Sequence, residues 1–283
     1  MFPPAALSFE HALEESADHS SSLKRPWLIG TDLVLDTVHT RRLVTQDLQA
    51  LGFTAPVSVT VLVTEGAIAA VEAAQSLEAR GGAPAFRVSS IEAKVSPETF
   101  STIVKDLAVF AQKSSALIAV EPDLSTPDWQ RVLSETITAI SRSPLAKHLA
   151  LKCRCTGPTG IGAEKLSEAI IAASDAGIGF KVTGGLHHPI VEPAIHPSPM
   201  GFLNVAAAVY LRRTLGGTLP ADSLTALLTN NSAALLSFEH GISFGNFSIT
   251  LAQLQHAKQR GHFSIGSCSI HEPDEDLTRL GFH

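Results

Sequence analysis

A β-like run followed by a helical pattern recurs along most of this chain, and that rhythm restricts the fold more than any single motif. VSVTVLVTE (Val57–Glu65) precedes the alanine-rich AIAAVEAAQSLEARGG, AFRVSSIEAKV (Ala85–Val95) precedes SPETFSTIVKDLAVFAQKS, and ALIAVEPDL (Ala116–Leu124) precedes STPDWQRVLSETITAISRS. LALKCRC (Leu149–Cys155) precedes GAEKLSEAIIAASDAG, and IGFKVTGG (Ile178–Gly185) leads through a polar loop into MGFLNVAAAVYLRRTLGG. These runs begin about 30 residues apart, the length of a βα unit, so the strands are expected to lie parallel. Ser96 and Pro97 read as the cap and first position of a helix. HFSIGSCSI (His262–Ile270), after the helical ITLAQLQHAKQRG, supplies a further strand, and PWLIGTDLVLD and ISFGNFSI are weaker candidates for the last two. The expected fold is α/β, a (β/α)8 TIM-like barrel with a helical insertion before its last strands. An open doubly wound sheet is the alternative, but no strand is followed by G-x-G-x-x-G.

At 283 residues the chain fits one large barrel, and its 45% apolar residues suffice for the core. Residues 1–25, rich in Ser and Glu, read as an N-terminal helix or arm, and 26–283 as one barrel domain. Within it, 200–241 forms an additional helical layer, with Asp222–Gly241 over one rim. A formal charge of -6 and few aromatics argue against nucleic acid as a partner. No apolar run approaches the length of a membrane span, and MFPPAALSFEHALEES lacks the basic start and apolar stretch of a secretory leader. The three cysteines are too few for a disulfide framework, and Cys153 with Cys155 on one side of a strand would make a strained pair. A reducing cytoplasm is the expected location. The implied partner is a small molecule, and self-association is left open.

In a barrel of this kind, chemistry gathers at the C-terminal ends of the strands. Strand side chains alternate, so Lys152 and Arg154 share a face opposite Leu151, Cys153 and Cys155, and Lys181 and Thr183 share a face opposite Phe180 and Val182. With the apolar set against helices, the cations point into the barrel, where Glu121 and Glu92 are placed to join them. Buried lysine is costly unless paired or deprotonated, so a pure core would hold valines there. A buried salt bridge is the plainer reading for any one of these residues, and Cys153 and Cys155 read as small core residues. Gly184 and Gly185 allow the chain to turn and approach a ligand closely. His187 and His188 follow them on the rim loop. The small residues Gly266, Ser267, Cys268 and Ser269 offer N–H and hydroxyl donors for an anion.

The segments LALKCR, GFKVTGGL and HFSIGSCS resemble the last three strands of class I aldolases of the deoxyribose-phosphate aldolase type. That resemblance implies a Schiff-base lysine at Lys152, a second lysine at Lys181 followed by Gly184, Gly185 and Leu186, and a phosphate turn at Gly266–Ser269. Cys-Arg-Cys-Thr-Gly after Lys152 and the paired histidines depart from the family. KVTGGLHHP, MGFLN and SIGSCSIHEPDEDL are also similar to a set of uncharacterised bacterial β/α-barrel domain proteins. Their motifs run K-A-T-A-G-L-H-H-P, H-G-F-L-N and F-G-S-C-S-F-x-E-P-x-x-D-L. This second resemblance supports the barrel and the site without implying a substrate.

His187, His188 and His196 with Glu192, joined by His271 and Glu272, are the candidate metal ligands. Adjacent histidines point in opposite directions along an extended chain, however, and neither H-x-H nor H-E-x-x-H occurs. Proton transfer or substrate binding is preferred for the histidines, and no cofactor or metal is expected. EPDEDL reads as the cap of a final helix, its carboxylates at the positive end. The favoured function is a carbon–carbon lyase of the aldolase kind, with a lysine imine formed on a carbonyl substrate. Lys152 or Lys181 is the nucleophile and Glu121 or His187 the proton carrier. Glu92, Arg154, Thr183, Gly184, Gly185, His188 and the Gly266–Ser269 turn bind the substrate and its carboxylate or phosphate. An isomerase with the same residues, a metal-dependent hydrolase or lyase, and a non-catalytic small-acid-binding barrel are the alternatives.

Overall fold

The structure, a computed structural model, describes residues 9–21, 32–43, 56–80, 85–191, 200–232, 236–267 and 271–281. Its elements run α1 (Phe9–Ser21), β1 (Leu33–Asp36), α2 (Thr37–Leu43), β2 (Val57–Leu62), α3 (Ala67–Glu78), β3 (Phe86–Val95), α4 (Phe100–Ser114) and β4 (Leu117–Pro122). There follow α5 (Trp129–Arg142), β5 (Leu149–Arg154), α6 (Ala163–Asp175), β6 (Gly179–Thr183), α7 (Phe202–Leu215), α8 (Ala221–Leu228), β7 (Leu236–Ser237), β8 (Gly241–Phe244), β9 (Phe247–Thr250), α9 (Leu251–Gln259), β10 (Phe263–Gly266) and α10 (His271–Arg279). The fold is α/β, with a seven-stranded parallel sheet in the order β1-β2-β3-β4-β5-β6-β10, flanked by helices. The βα rhythm of the sequence thus produces the sheet it implies. Among the described residues, no helix is long and apolar enough to cross a membrane.

The chain divides into two compact units, Met1–Val120 and Glu121–His283. In the first, β1 pairs with β2 and β2 with β3, all parallel. Helix α3 buries Ala67, Ala70, Val71, Ala74 and Leu77, a stripe of helical period whose small side chains allow close approach. Helix α4 does the same with Phe100, Val104, Leu107 and Ala111. The regular helix starts at Phe100, and Ser96 caps the turn that leads into it: the Thr99 N–H donates to Ser96 Oγ (3.3 Å), the Ser96 N–H to Thr99 Oγ1 (2.8 Å), and the Phe100 N–H to the Ser96 carbonyl (2.9 Å). Ser89 is the extra residue of a bulge between β2 and β3, and its hydroxyl bonds Asp32 and the Val59 carbonyl.

In the second unit β5 pairs with β6 and β6 with β10, again parallel. Helix α6 turns Leu166, Ala169, Ile170 and Ala173 inward. Helix α7 buries Asn204, Val205, Ala207, Ala208, Val209 and Leu211, burial on nearly every side that suits its packing against α6, α8 and α9. Fully burying each such Val or Leu is worth about 1.5–3 kcal/mol. Helix α9 begins with a reciprocal cap, Thr250 Oγ1 accepting from the Gln253 N–H while the Gln253 side chain accepts from the Thr250 N–H.

One strand expectation is overturned. ISFGNFSI does not join the parallel sheet; it folds back as β8 and β9, which with β7 form a separate three-stranded antiparallel sheet. Phe244 pairs with Phe247 across a two-residue turn that opens on Gly245 at φ +56°. Gly-Asn between β-like residues is a hairpin signal, and a tight hairpin can only pair its strands antiparallel. HFSIGSCSI is shorter than expected, its strand β10 ending at Gly266.

Candidate functional site

Strands β4, β5, β6 and β10 bring the candidate side chains to their C-terminal ends. On β4, Glu121 is 5% exposed; on β5, Lys152 is 3% exposed. Lys152 Nζ lies 2.5 Å from Glu121 Oε2, and Arg154 Nε donates to Glu121 Oε1 at 2.8 Å. Arg154 Nη2 adds a longer bond to Oε2 at 3.3 Å. Burial pushes the Glu121 carboxyl up, but the Arg154 hydrogen bonds and the Lys152 charge outweigh it and hold the group below its ordinary value. Glu121 is therefore the anion that two cations share.

The strand registers extend this cluster sideways. Lys152 pairs with Lys181, and Lys181 with Ser264 on β10. One step further along the strands, Arg154 pairs with Thr183 and Thr183 with Gly266. Partners across a parallel ladder share a face and stand about 4.8 Å apart, so the second unit carries two polar rows. Lys181 is as deeply buried as Lys152, at 6% exposure. Thr183 Oγ1 leans toward Gly266, where a Cβ would come within 2.7 Å of it, so only glycine fits beside the threonine. Glu92 is buried on β3 of the first unit, its carbonyl accepting from the Val63 N–H.

The glycine pair after β6 has a local cause. Gly184 and Gly185 have φ of +84° and +74°, the left-handed region that L side chains avoid. Both backbones press against Thr156 in the loop after β5: a Cβ on Gly185 would lie 2.3 Å from Thr156 Cγ2, and one on Gly184 would lie 2.8 Å from Thr156 Oγ1. The Cys155 N–H donates to the Thr183 carbonyl at 2.8 Å, locking that loop to the end of β6. Cys153 and Cys155 are buried free thiols. Burial pushes the Cys155 thiol up to about 12, with Arg154 opposing, and raises Cys153 well above its ordinary value.

His187 and His188 correct the expectation of opposite directions. Their rings lie 6.3 Å apart and both meet α10: His187 Nδ1 is 3.0 Å from Glu272 Oε2, and His188 Nδ1 is 2.5 Å from Asp276 Oδ2. β6 ends at Thr183, so the histidines lie beyond the extended strand on which alternation depends. Glu272 and Asp276 are four residues apart on α10, hence on one face, and the two carboxylates meet two consecutive histidines. EPDEDL lies within α10 rather than before it. Arg279 holds the other oxygen of Asp276 at 2.9 Å. Burial raises the Asp276 carboxyl, while the His188 and Arg279 bonds outweigh it and lower it. The segment HHP also meets MGFLN, since the Phe202 and Leu203 N–H groups at the start of α7 donate to the His188 and Pro189 carbonyls.

Glu121, Lys152 and Arg154 are thus in direct contact, with Lys181, Thr183 and Gly266 in register beside them. Ser267 is half-buried just past β10. Cys268, Ser269, Glu192 and His196 lie outside the described residues. Sequence reading missed Ser264, Thr156 and Asp276: for Ser264 the alternation along HFSIG was the available signal, and for Asp276 its spacing from Glu272. Among the described residues no group of three or more His, Cys, Asp or Glu is placed to hold a metal ion. No protein-family model, curated protein or solved structure matches the chain.

Proposed function

We propose that the protein is a lyase of the class I aldolase kind on a TIM-like barrel, acting through a lysine imine on a small carbonyl compound that carries a carboxylate or phosphate. The observation that carries this reading is the register pairing of Lys152 with Lys181, two buried amines on adjacent strands beside the Glu121 carboxylate. A neutral amine adds to a carbonyl and water departs. The iminium then accepts the electron pair of a neighbouring C–C or C–H bond. Glu121, 2.5 Å from Lys152, is within reach to carry a proton. Arg154 and the Gly266–Ser269 turn would take the anionic end. The same residues suit the related isomerase reaction.

The test is reductive trapping. Borohydride with pyruvate or a short aldehyde is expected to add one covalent mass per chain, mapped to Lys152 or Lys181. No adduct with any carbonyl tried, in protein that is demonstrably active, overturns the imine.

A non-catalytic small-acid-binding protein is the second reading, favoured by the charge balance: Glu121 is one carboxylate against Lys152 and Arg154 in direct contact. It predicts saturable binding of small carboxylates or phosphates, no adduct and no turnover.

A further inference from the structure

Ser264 is a polar side chain beside the lysines that the function above leaves unused. Its Oγ is buried and has no hydrogen-bond partner among the described residues. It stands in register with Lys181, which stands in register with Lys152, so all three side chains rise from one level of the sheet on one face. A buried hydroxyl without a partner is costly, and native structures rarely tolerate one outside a site that water or a ligand completes. The residue as a whole is half-buried rather than sealed, and serine turns readily among its staggered positions, so a small rotation presents the hydroxyl.

We infer that Ser264 is a specificity residue of the lysine site, hydrogen-bonding a neutral hydroxyl of the substrate, and that the substrate class is therefore hydroxylated carbonyl compounds, hydroxyaldehydes or hydroxyketones. The inference rests on the lysine-imine reading. Cationic Arg154 suits an anion. A hydroxyl at the level of the amines, able both to donate and to accept, suits a neutral hydroxyl. Gly266, two residues on, adds no side chain above it.

The experiment compares borohydride trapping of glycolaldehyde and acetaldehyde, which differ by the one hydroxyl, in the wild type and in Ser264→Ala. The intrinsic reactivities of the aldehydes cancel when the two proteins' ratios are compared. Ser264→Ala removes a group that bonds nothing in the protein, so it should fold with a melting temperature no lower than that of the wild type. The expected result is that the preference for glycolaldehyde falls by roughly fivefold in the variant, the size of one neutral hydrogen bond, while the adduct itself persists. An equal preference in the two proteins overturns the role of Ser264 and leaves the imine standing. If neither aldehyde is trapped by the wild type, the imine reading fails. Crystals soaked in glycolaldehyde then decide Ser264: a hydroxyl bonded to Oγ in the wild type and lost in the variant upholds it, and an Oγ touched by no ligand atom overturns it.

Discussion

Lys152 Nζ lies 2.5 Å from Glu121 Oε2, and the opposite oxygen of that carboxylate takes the Arg154 Nε at 2.8 Å, so two cations share a single buried acid. Removing such an acid leaves uncompensated charge in a desolvated place, which costs far more than the intact pair contributes.

Glu121→Gln is therefore expected to lower the unfolding free energy at neutral pH by about 3–5 kcal/mol. Adding Lys152→Met should recover part of that loss, a non-additive cycle readable by urea denaturation. The pH dependence has a definite sign. Folding lowers the Glu121 carboxyl, so its contribution is complete above the unfolded-state value of about 4.3 and disappears as pH falls through the lower folded-state value. The gap between wild type and Glu121→Gln should close on acidification from pH 7 toward pH 3. A gap that stays constant over that range contradicts the assignment.

The two lysines should divide their roles. Lys152→Met or Lys181→Met should abolish the trapped adduct when it removes the nucleophile. The other change should slow trapping by about 10-fold to 1,000-fold, since the partner acts only through the charge beside the amine. Arginine at the nucleophilic position should not restore the adduct, because a guanidinium stays protonated. An adduct that survives both single changes assigns the chemistry elsewhere.

Helix α10 carries imidazole–carboxylate pairs, and Leu277 is a buried aliphatic side chain among its described residues. His188→Ala and Asp276→Asn should each raise hydrogen exchange in α10 by about 10-fold or more, the weight of one charged hydrogen bond, and leave β5 and β6 protected. Because Asp276 is lowered by its partners, this fastening holds above its unfolded-state value and is lost as pH falls through the folded one. Exchange in α10 that is unchanged in both variants would mean that the pairs do not hold the helix.

The thiols give a simple contrast. Cys155 is raised to about 12 by burial and Cys153 is raised well above its ordinary value by the same cause, so neither supplies thiolate near pH 8. Iodoacetamide at that pH should leave both unmodified in the folded protein and modify both in urea. Labelling of Cys155 in native protein within minutes would show that the loop after β5 opens.

The βα rhythm was legible because helical and strand periods differ and repeat; the runs holding Lys152 and Lys181 became the adjacent strands that their order implies. The Glu121–Lys152–Arg154 contact was legible in residue type and face, since alternation alone aligns Lys152 with Arg154. ISFGNFSI was misplaced because apolar alternation says strand without saying which sheet, and the Gly245-Asn246 turn that decides it was read as part of the run. The histidine–α10 pairing could not be read, because it joins residues far apart in the chain, His188 with Asp276. It also lies beyond the end of β6 at Thr183, where strand alternation no longer applies. Ser264 escaped notice for a related reason, because a lone serine in a strand acquires meaning only through its register with Lys181.

The glycine pair after β6 supports the last expectation. Gly185 has φ +74°, and a Cβ there would meet Thr156 Cγ2 at 2.3 Å. Gly185→Ala thus carries two separable costs. The left-handed backbone contributes about 1–2 kcal/mol, and the overlap with the threonine methyl about 1–3 kcal/mol more. Thr156→Ser removes that methyl, and the next nearest Thr156 atoms lie at 3.5 and 3.6 Å, ordinary contact distances. In the Thr156→Ser background Gly185→Ala should therefore cost only the backbone part, a difference measurable in a denaturation cycle. Borohydride trapping should recover in step with stability, because Thr156 and Gly185 join the loop after β5 to the end of the strand that carries Lys181. An equal cost in both backgrounds would show that the turn relaxes around the new side chain, and that Gly185 is required for its φ alone.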